Sequence, residues 1–137
     1  MNSPSLIEFT IRLVLSMVLG AVIGIEREIH HKPAGIRTHM LVSLGSCLFT
    51  VVSIYDFNMD PARVAAGIVT GIGFIGAGTI IVEREKEKIV GITTAASLWI
   101  TAAVGLTTGA GSYALAIIAT LLAFITLCMR KILKKAG

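Results

Sequence analysis

The chain has 137 residues, of which 55% are hydrophobic and 15% charged, with a mean hydropathy of +0.86. Soluble domains are usually about 45–50% apolar and about 25% charged, and here the apolar residues form blocks of about 20, the length that crosses a bilayer. This composition excludes an ordinary soluble enzyme, a disordered tail and a secreted disulfide scaffold, and it predicts a small integral membrane protein.

The apolar blocks predict an all-α integral membrane fold, a bundle of five transmembrane helices that forms one domain over residues 1–137. Turn formers separate the blocks, such as Pro33 and Gly35 after the first. Pro61 is expected to begin the third helix, because proline is favoured at the first helical position. The predicted helices cover about 6–25, 39–55, 62–82, 89–106 and 113–129.

The basic residues predict an orientation. Ten of the twelve Lys and Arg residues fall on one side of this bundle, Arg63 falls on the other, and Arg12 lies within the first helix. Because basic residues are retained on the cytoplasmic side, we expect the N-terminus outside and the C-terminus in the cytoplasm. The net charge of +4 is explained by these flanking clusters. No basic patch interleaved with aromatic residues is present, so no nucleic-acid partner is expected.

Four predicted helices carry small and polar residues at spacings of three and four, which place them on one helix face. In chain order the four stripes are Arg12, Ser16, Gly20 and Gly24; His39, Ser43, Ser46, Thr50 and Ser53; Arg63, Gly67, Gly71, Phe74 and Gly78; and Thr93, Ser97, Thr101, Gly105 and Thr108. The stripes either pack helices together or line a wet path or ligand site. Helices one to four are therefore expected to build the interior, with helix five more peripheral.

The glycines favour close helix packing. The segment 71–76 matches the dinucleotide fingerprint GxGxxG, but it lies inside an apolar block without the strand that such a site requires. GxxxG pairs are typical of helix contacts in membranes, and dense glycine can also break a helix near an ion site. The glycines expected to pack helices are Gly20, Gly24, Gly67, Gly71, Gly73, Gly76 and Gly78.

Charged residues within or beside the apolar blocks are the strongest candidates for a functional site. A buried Arg12 would cost about 3 kcal/mol or more without a partner, and Glu8, four residues earlier, lies on the same helix face. Arg12, Glu8, Asp60 and Arg63 are expected to form an outer polar cluster, which is either a structural ion pair or a functional site. A second, inner polar cluster would contain Glu26, Arg27, Glu28, Arg37 and His39.

Metal binding and catalysis have little support in the residues. Mg²⁺ prefers oxygen ligands, so Glu26, Glu28 and Asp60 are weak candidates for its ligands. The sequence indicates no other cofactor. No nucleophile elbow, phosphate-binding GK[ST] or HExxH motif occurs. We therefore expect no enzymatic activity.

Several blocks in order carry a family resemblance: residues 20–28 (GAVIGIERE), 33–42 (PAGIRTHMLV), 60–67 (DPARVAAG), 71–78 (GIGFIGAG) and 91–99 (GITTAASLW). Together they resemble the MgtC/SapB family of bacterial inner-membrane proteins, from about Arg12 to Gly109. The resemblance implies a five-helix, multi-pass protein of the bacterial inner membrane. The family's motif residues would map onto Glu26, Arg27, Glu28, Arg37, Thr38, His39, Asp60, Arg63 and the glycines of these blocks.

The resemblance also implies a functional context. The family is associated with magnesium limitation, and some members with virulence and survival inside host cells. Longer members carry a cytoplasmic C-terminal domain, which this chain is expected to lack as a short form ending after Lys135. Some members are labelled magnesium transporters, whereas others are thought to regulate different membrane complexes.

Two hypotheses follow. The first is a small homo-oligomeric protein linked to Mg²⁺ homeostasis or transport, in which Arg12, Glu26, Glu28 and Asp60 would line the ion path. The second is a regulatory interaction protein whose glycine faces dock onto another membrane complex, such as an ATP synthase or an ion pump. Buried charge favours the first hypothesis, and dense GxxxG pairs without a ligand cage favour the second.

Overall fold

A computed structural model describes residues 4–57 and 60–136, with side chains as far as Met129. Five α-helices and one β-hairpin follow one another along the chain. They are α1 (Leu6–Ile29), α2 (Ile36–Tyr55), α3 (Pro61–Ala77), β1 (Ile81–Glu83), β2 (Lys88–Val90), α4 (Ile92–Gly109) and α5 (Tyr113–Ala136), with a 3₁₀ turn (Arg84–Lys86) between the strands. The side chains of the basic tail, Arg130, Lys131, Lys134 and Lys135, lie outside the described part.

The first connection is tighter than predicted. Helix α1 ends at Ile29 rather than at residue 25, because the charged segment 26–28 continues the helix for another turn. Helix α2 begins at Ile36 rather than at residue 39, since the carboxylate of Glu28 accepts a hydrogen bond from the Ile36 N–H (3.0 Å). A side chain from α1 thus caps the first turn of α2, which its own N-cap, Gly35, cannot do.

The prediction of an all-α fold is wrong around residues 78–91. Helix α3 ends at Ala77 rather than at residue 82, α4 begins at Ile92 rather than at residue 89, and an antiparallel hairpin pairs Ile81 with Val90. Both strands carry β-branched residues, which favour strands, and a short apolar run does not by itself distinguish helix from strand.

Gly91 joins the hairpin to α4 and has to be glycine. Its φ of +94° is in the left-handed region, and a Cβ there would overlap the carbonyl oxygen of Thr79. The hairpin is therefore held close to the C-terminal end of α3.

Helices α1, α2 and α4 pack on one another, while α3 packs mainly on α4, and α5 packs on α1 and α4. One hydrophobic cluster joins α1, α4 and α5 around Ile23 and Val104. A second cluster joins α3 to α4 through Ile72 and Leu98. Helix α5 is thus peripheral, as predicted, and it continues to Ala136 instead of ending at residue 129.

Helices α1, α2 and α4 are long and apolar enough to cross a membrane, and α3 and the segment Tyr113–Met129 are shorter apolar helices. Large apolar side chains remain exposed on the outer faces, for example those of Leu121, Leu122 and Ile125 on α5. These features are typical of a helical membrane protein. Crossing by all five helices and the orientation stay predictions.

The polar stripes of α1, α2 and most of α4 are buried inside the bundle, as expected. In α4, Thr94 is buried in place of the predicted Thr93. The expectation for α3 is wrong, because Arg63, Gly67, Gly71 and Phe74 are all exposed. Spacing identifies residues that share a face, but it does not identify what that face meets.

Candidate functional site

The predicted pair between Arg12 and Glu8 is present near the start of α1. The Arg12 side chain is buried, and its Nη2 contacts the Glu8 carboxylate. Its Nη1 donates a hydrogen bond to the carbonyl oxygen of Gly109 (2.7 Å), and its Cζ lies 5.4 Å from the ring centre of Tyr55. Because Gly109 ends α4, its carbonyl has no partner within the helix and carries partial negative charge. Arg12 therefore joins the start of α1 to the ends of α2 and α4. We call this part of the bundle the Arg12 end.

Asp60 and Arg63 do not join Arg12, so the outer polar cluster is wrong in half of its members. Asp60 caps α3, with its Oδ1 accepting a hydrogen bond from the Ala62 N–H (3.0 Å), and Arg63 is exposed. No hydrogen bond or ion pair connects either residue to Arg12 within the described ranges. The loop carboxylate serves to begin α3 instead.

The inner polar cluster forms around a buried ion pair at the other end of α1, which we call the Glu26 end. Arg27 Nη1 lies 3.1 Å from Glu26 Oε2, and both side chains are 4% exposed. His30 Nδ1 lies 2.7 Å from the Glu26 carbonyl oxygen and 3.0 Å from Glu26 Oε1. Arg27 Nε is buried, and no partner for it exists among the described residues. The guanidinium is therefore only partly satisfied.

Glu28 belongs to a different part of the same end. Its carboxylate caps the first turn of α2. It occupies the space that a Cβ at Gly35 would need. Arg37 is exposed and Thr38 is half-buried, and with Glu28 they line a shallow cavity of about 290 Å³. The expected cluster thus divides into a buried ion pair and a surface group.

His39 lies in the interior, and no hydrogen bond or ion pair among the described residues joins its ring to the other members of the inner polar cluster. Its ring is fully buried, with Nδ1 2.8 Å from the Gly35 carbonyl oxygen and Nε2 3.0 Å from Ser97 Oγ. This contact links α2 to α4. A Cβ at Gly20 would lie 2.6 Å from the carbonyl oxygen of His39, so glycine is needed where α1 crosses α2.

The three weak metal candidates do not form one site among the described residues. Glu26 is ion-paired, Glu28 caps α2 at the same end, and Asp60 lies near the Arg12 end, shortly after α2 finishes at Tyr55. The described residues contain no group of three or more His, Cys, Asp or Glu side chains placed to hold a metal ion. The geometry brings together ion pairs and helix caps at these positions.

Most interior hydroxyls are used within their own helices. Thr50, Thr101 and Thr108 each donate a hydrogen bond to the carbonyl four residues earlier, at 2.7–2.8 Å. Ser43 and Ser53 Oγ have no partner among the described residues. Gly105 and Gly109 allow α4 to contact the backbone of α2, since a Cβ at Gly109 would lie 2.7 Å from the carbonyl oxygen of Cys47. These contacts favour helix packing over a wet path along the α1, α2 and α4 stripes.

The comparisons with known proteins agree with the sequence blocks. The model of the MgtC family matches residues 13–136. The chain belongs to the MgtC family. This confirms the resemblance drawn from the motifs, and no solved structure matches the chain.

Three relatives indicate the breadth of the MgtC family. YhiD of Escherichia coli (strain K12), whose name proposes a magnesium transporter, is 46% identical over 129 residues, covering 88% of this chain and 59% of its own. SapB of Bacillus subtilis (strain 168) is 41% identical over 115 residues, covering 77% and 49%. MgtC of Salmonella typhimurium (strain 14028s / SGSC 2262) is 40% identical over 129 residues, covering 94% and 54%. The chain thus spans about half to three-fifths of the length of these relatives.

Three glycines of α3 in this MgtC-family chain approach no other described element. No described atom beyond the local backbone lies within 4 Å of a Cβ built at Gly67, Gly71 or Gly73. Gly76, by contrast, approaches Ala95 of α4, and Gly78 meets only the end of its own helix. An apolar groove of about 620 Å³ runs between α2 and α3 beside Gly67 and Gly71, and we call it the α2–α3 groove. Gly67 and Gly71 therefore face this groove, and no other described helix packs closely against them.

Proposed function

We propose that this protein acts in Mg²⁺ homeostasis of the bacterial inner membrane by contacting another membrane-protein chain through α3. The proposal includes five membrane-crossing helices, no catalytic step, and growth at low Mg²⁺ as the associated phenotype. A role inside host cells would be one consequence of that phenotype. The name of the relative YhiD, which proposes a magnesium transporter, supports the link to magnesium.

The exposed glycine face of α3 is the observation that carries the proposal. In a bilayer, helices gain little from burying apolar surface against each other, and association relies on close backbone packing at small residues. Gly67 and Gly71 are one GxxxG pair, and both are open. The pairs Gly20 with Gly24 and Gly105 with Gly109 are already filled by α2. The contrast supports an interface on α3, formed with a second copy or with a larger complex.

The experiment is a matched pair of substitutions in the full chain. Gly71→Leu places a bulky side chain in the α2–α3 groove, whereas Ala66→Leu places one at another exposed position of α3 that does not line the groove. We expect Gly71→Leu to lose the ability to restore growth at low Mg²⁺ to a strain that lacks the protein. The variant should also lose chemical cross-linking between α3 and another chain, while its abundance in the membrane stays normal. Ala66→Leu should preserve both. Equal behaviour of the two variants would contradict the proposal.

Mg²⁺ transport by the chain itself is the second candidate. Buried charge at both ends of the bundle, Arg12 at one and the Glu26–Arg27 pair at the other, is the observation that favours it, since ionisable residues within membranes often mark ion pathways. The measurement is Mg²⁺ flux into liposomes that contain only the purified protein. Mg²⁺ flux that is the same in wild type and Gly71→Leu would favour transport over the contact proposal. No flux, together with co-purification of another membrane protein, would favour contact.

A further inference from the structure

We propose that the cavity beneath the β-hairpin binds a phosphate group, either from the headgroup of an anionic phospholipid or from free orthophosphate. This cavity, the hairpin cavity, has a volume of about 920 Å³ and lies between the last turn of α1, the hairpin, the first turn of α4 and α5. It lies at the Glu26 end of the bundle. The inference does not depend on the contact proposed for α3.

The charged side chains of the hairpin cavity are mostly basic. Arg27, Lys32 and Lys88 line it together with His31, and Glu83 is the carboxylate among its described lining residues. Glu83 already pairs with Lys86, at 3.3 Å. Arg27 likewise pairs with Glu26, so neither of these two pairs adds net charge. The exposed ammonium of Lys88 favours an anion, and basic pockets beside membrane helices are typical binding sites for phosphate headgroups.

The first turn of α4 adds backbone donors to the same wall. Residues 92–94 line the cavity, and the N-cap residue Gly91 provides no side-chain cap. The first N–H groups of a helix have no partners within the helix and carry partial positive charge. Phosphate groups commonly bind at such helix starts.

Arg27 supplies an independent observation. Its side chain is 4% exposed and lines the cavity, and one edge of the guanidinium is held by Glu26 through Nη1. Its Nε has no partner among the described residues. A buried donor without an acceptor costs free energy, and an anion held against the Arg27 side chain would offset part of that cost.

Apolar residues on the cavity wall favour a lipid as the source of the phosphate. Ile89, Ile92 and Met129 line the cavity and are about half exposed. A phospholipid could place its phosphate among the basic residues and its acyl chains along this wall. Free orthophosphate would use the polar part alone.

The test uses the full chain and two variants of the hairpin with the same change of charge. Lys88→Gln removes a basic residue that lines the cavity, and Arg84→Gln removes an exposed one that does not. Because Arg27 is buried in an ion pair, Arg27→Gln could prevent folding, and the exposed Lys88 avoids that problem. Native mass spectrometry in detergent measures retention of phosphatidylglycerol against phosphatidylcholine. Equilibrium dialysis of labelled orthophosphate against protein in phosphatidylcholine nanodiscs measures the free anion.

We expect wild type to retain phosphatidylglycerol in preference to phosphatidylcholine. This preference should weaken about fivefold in Lys88→Gln, the effect of roughly one basic residue near a membrane surface. In Arg84→Gln it should stay within about twofold of wild type. Orthophosphate binding with the same pattern of variants would support the site and identify the free anion as its source. Binding of neither probe would overturn the proposal. Equal losses in Lys88→Gln and Arg84→Gln would also overturn it, because they would indicate attraction by the whole surface.

Discussion

Arg12 and Gly109 are 97 positions apart in the chain, and the guanidinium of one donates a 2.7 Å hydrogen bond to the carbonyl of the other. The bond joins the first helix to the end of the fourth. It also explains how the bundle tolerates a buried arginine, since the charge meets both the Glu8 carboxylate and the negative end of a helix. Arg12 therefore has an evident structural role, whichever function the protein performs.

Replacement of Arg12 tests this role. We expect Arg12→Leu to lower the free energy of unfolding by about 2 kcal/mol, the usual range for a hydrogen bond to a charged group, because it leaves the Gly109 carbonyl without its donor. Thermal unfolding in detergent measures the change. Glu8→Gln is the comparison variant: it keeps an acceptor beside Arg12 and the bond to Gly109, so it should cost less than Arg12→Leu, although it removes the charge that pairs with a buried guanidinium. An unfolding temperature for Arg12→Leu equal to that of wild type would refute the assignment.

Two glycines of GxxxG pairs should respond in opposite ways to alanine. A Cβ at Gly105 would overlap the backbone carbonyl of Ser43, so Gly105→Ala should destabilise the bundle by about 2 kcal/mol or more. Gly67 is exposed and has open space around it. Gly67→Ala should therefore raise the free energy of unfolding by up to about 1 kcal/mol, because alanine is the better helix former.

Thermal unfolding of the two variants side by side, in a detergent that keeps the chain monomeric, provides the measurement. The contrast requires the monomer, because Gly67 lies on the face proposed to contact another chain. Equal destabilisation by both substitutions would contradict the placement of α3 at the outside of the bundle.

The same two glycines show how far the sequence predicts the fold. The spacing of small and polar residues along α4 predicted correctly that Gly105 lies on a packed face, since α4 is surrounded by α1, α2, α3 and α5. The same spacing along α3 predicted wrongly that the Gly67 stripe faces the interior, because periodicity carries no information about the neighbours of a helix. The local contact between Glu8 and Arg12 was predictable from their spacing of four. The cap that Glu28 forms on Ile36 was not, because it depends on how the chain turns between α1 and α2.

The hairpin is the other element that the sequence did not predict. Hydropathy treats Ile81 and Ile89 as continuations of the neighbouring helices, whereas β-branching and the charged turn between them favour two short strands. The hairpin cavity depends on this fold, so its basic lining could not have been assembled from charge patterning. The predicted inner polar cluster did not specify the ion pair between Glu26 and Arg27, and it included His39, whose ring bonds to Gly35 and Ser97 instead.

The contact between His39 and Ser97 provides a third test. We expect Ser97→Ala to cost about 1 kcal/mol, because it leaves a ring nitrogen of the buried His39 without a partner. Thr101→Val is the matched control on the same helix, since Thr101 donates only to the carbonyl of residue 97 and such back-bonding adds little to helix stability. Chemical unfolding in mixed detergent measures both variants. A larger loss in Thr101→Val than in Ser97→Ala would show that the interhelical bond is unimportant.

The orientation can be tested with cysteines introduced one at a time at opposite ends of the bundle. Lys86 lies on the exposed hairpin and Arg63 near the start of α3, so they mark the Glu26 end and the Arg12 end. Because basic residues concentrate beside the Glu26 end, the positive-inside rule places that end in the cytoplasm. A membrane-impermeant maleimide added to intact spheroplasts should therefore label Arg63→Cys and leave Lys86→Cys unlabelled until the cells are lysed. The native chain, with Cys47 buried and Cys128 partly buried, provides the background. Labelling of Lys86→Cys in intact spheroplasts would reverse the orientation, and with it the expectation that the hairpin cavity faces the cytoplasmic leaflet.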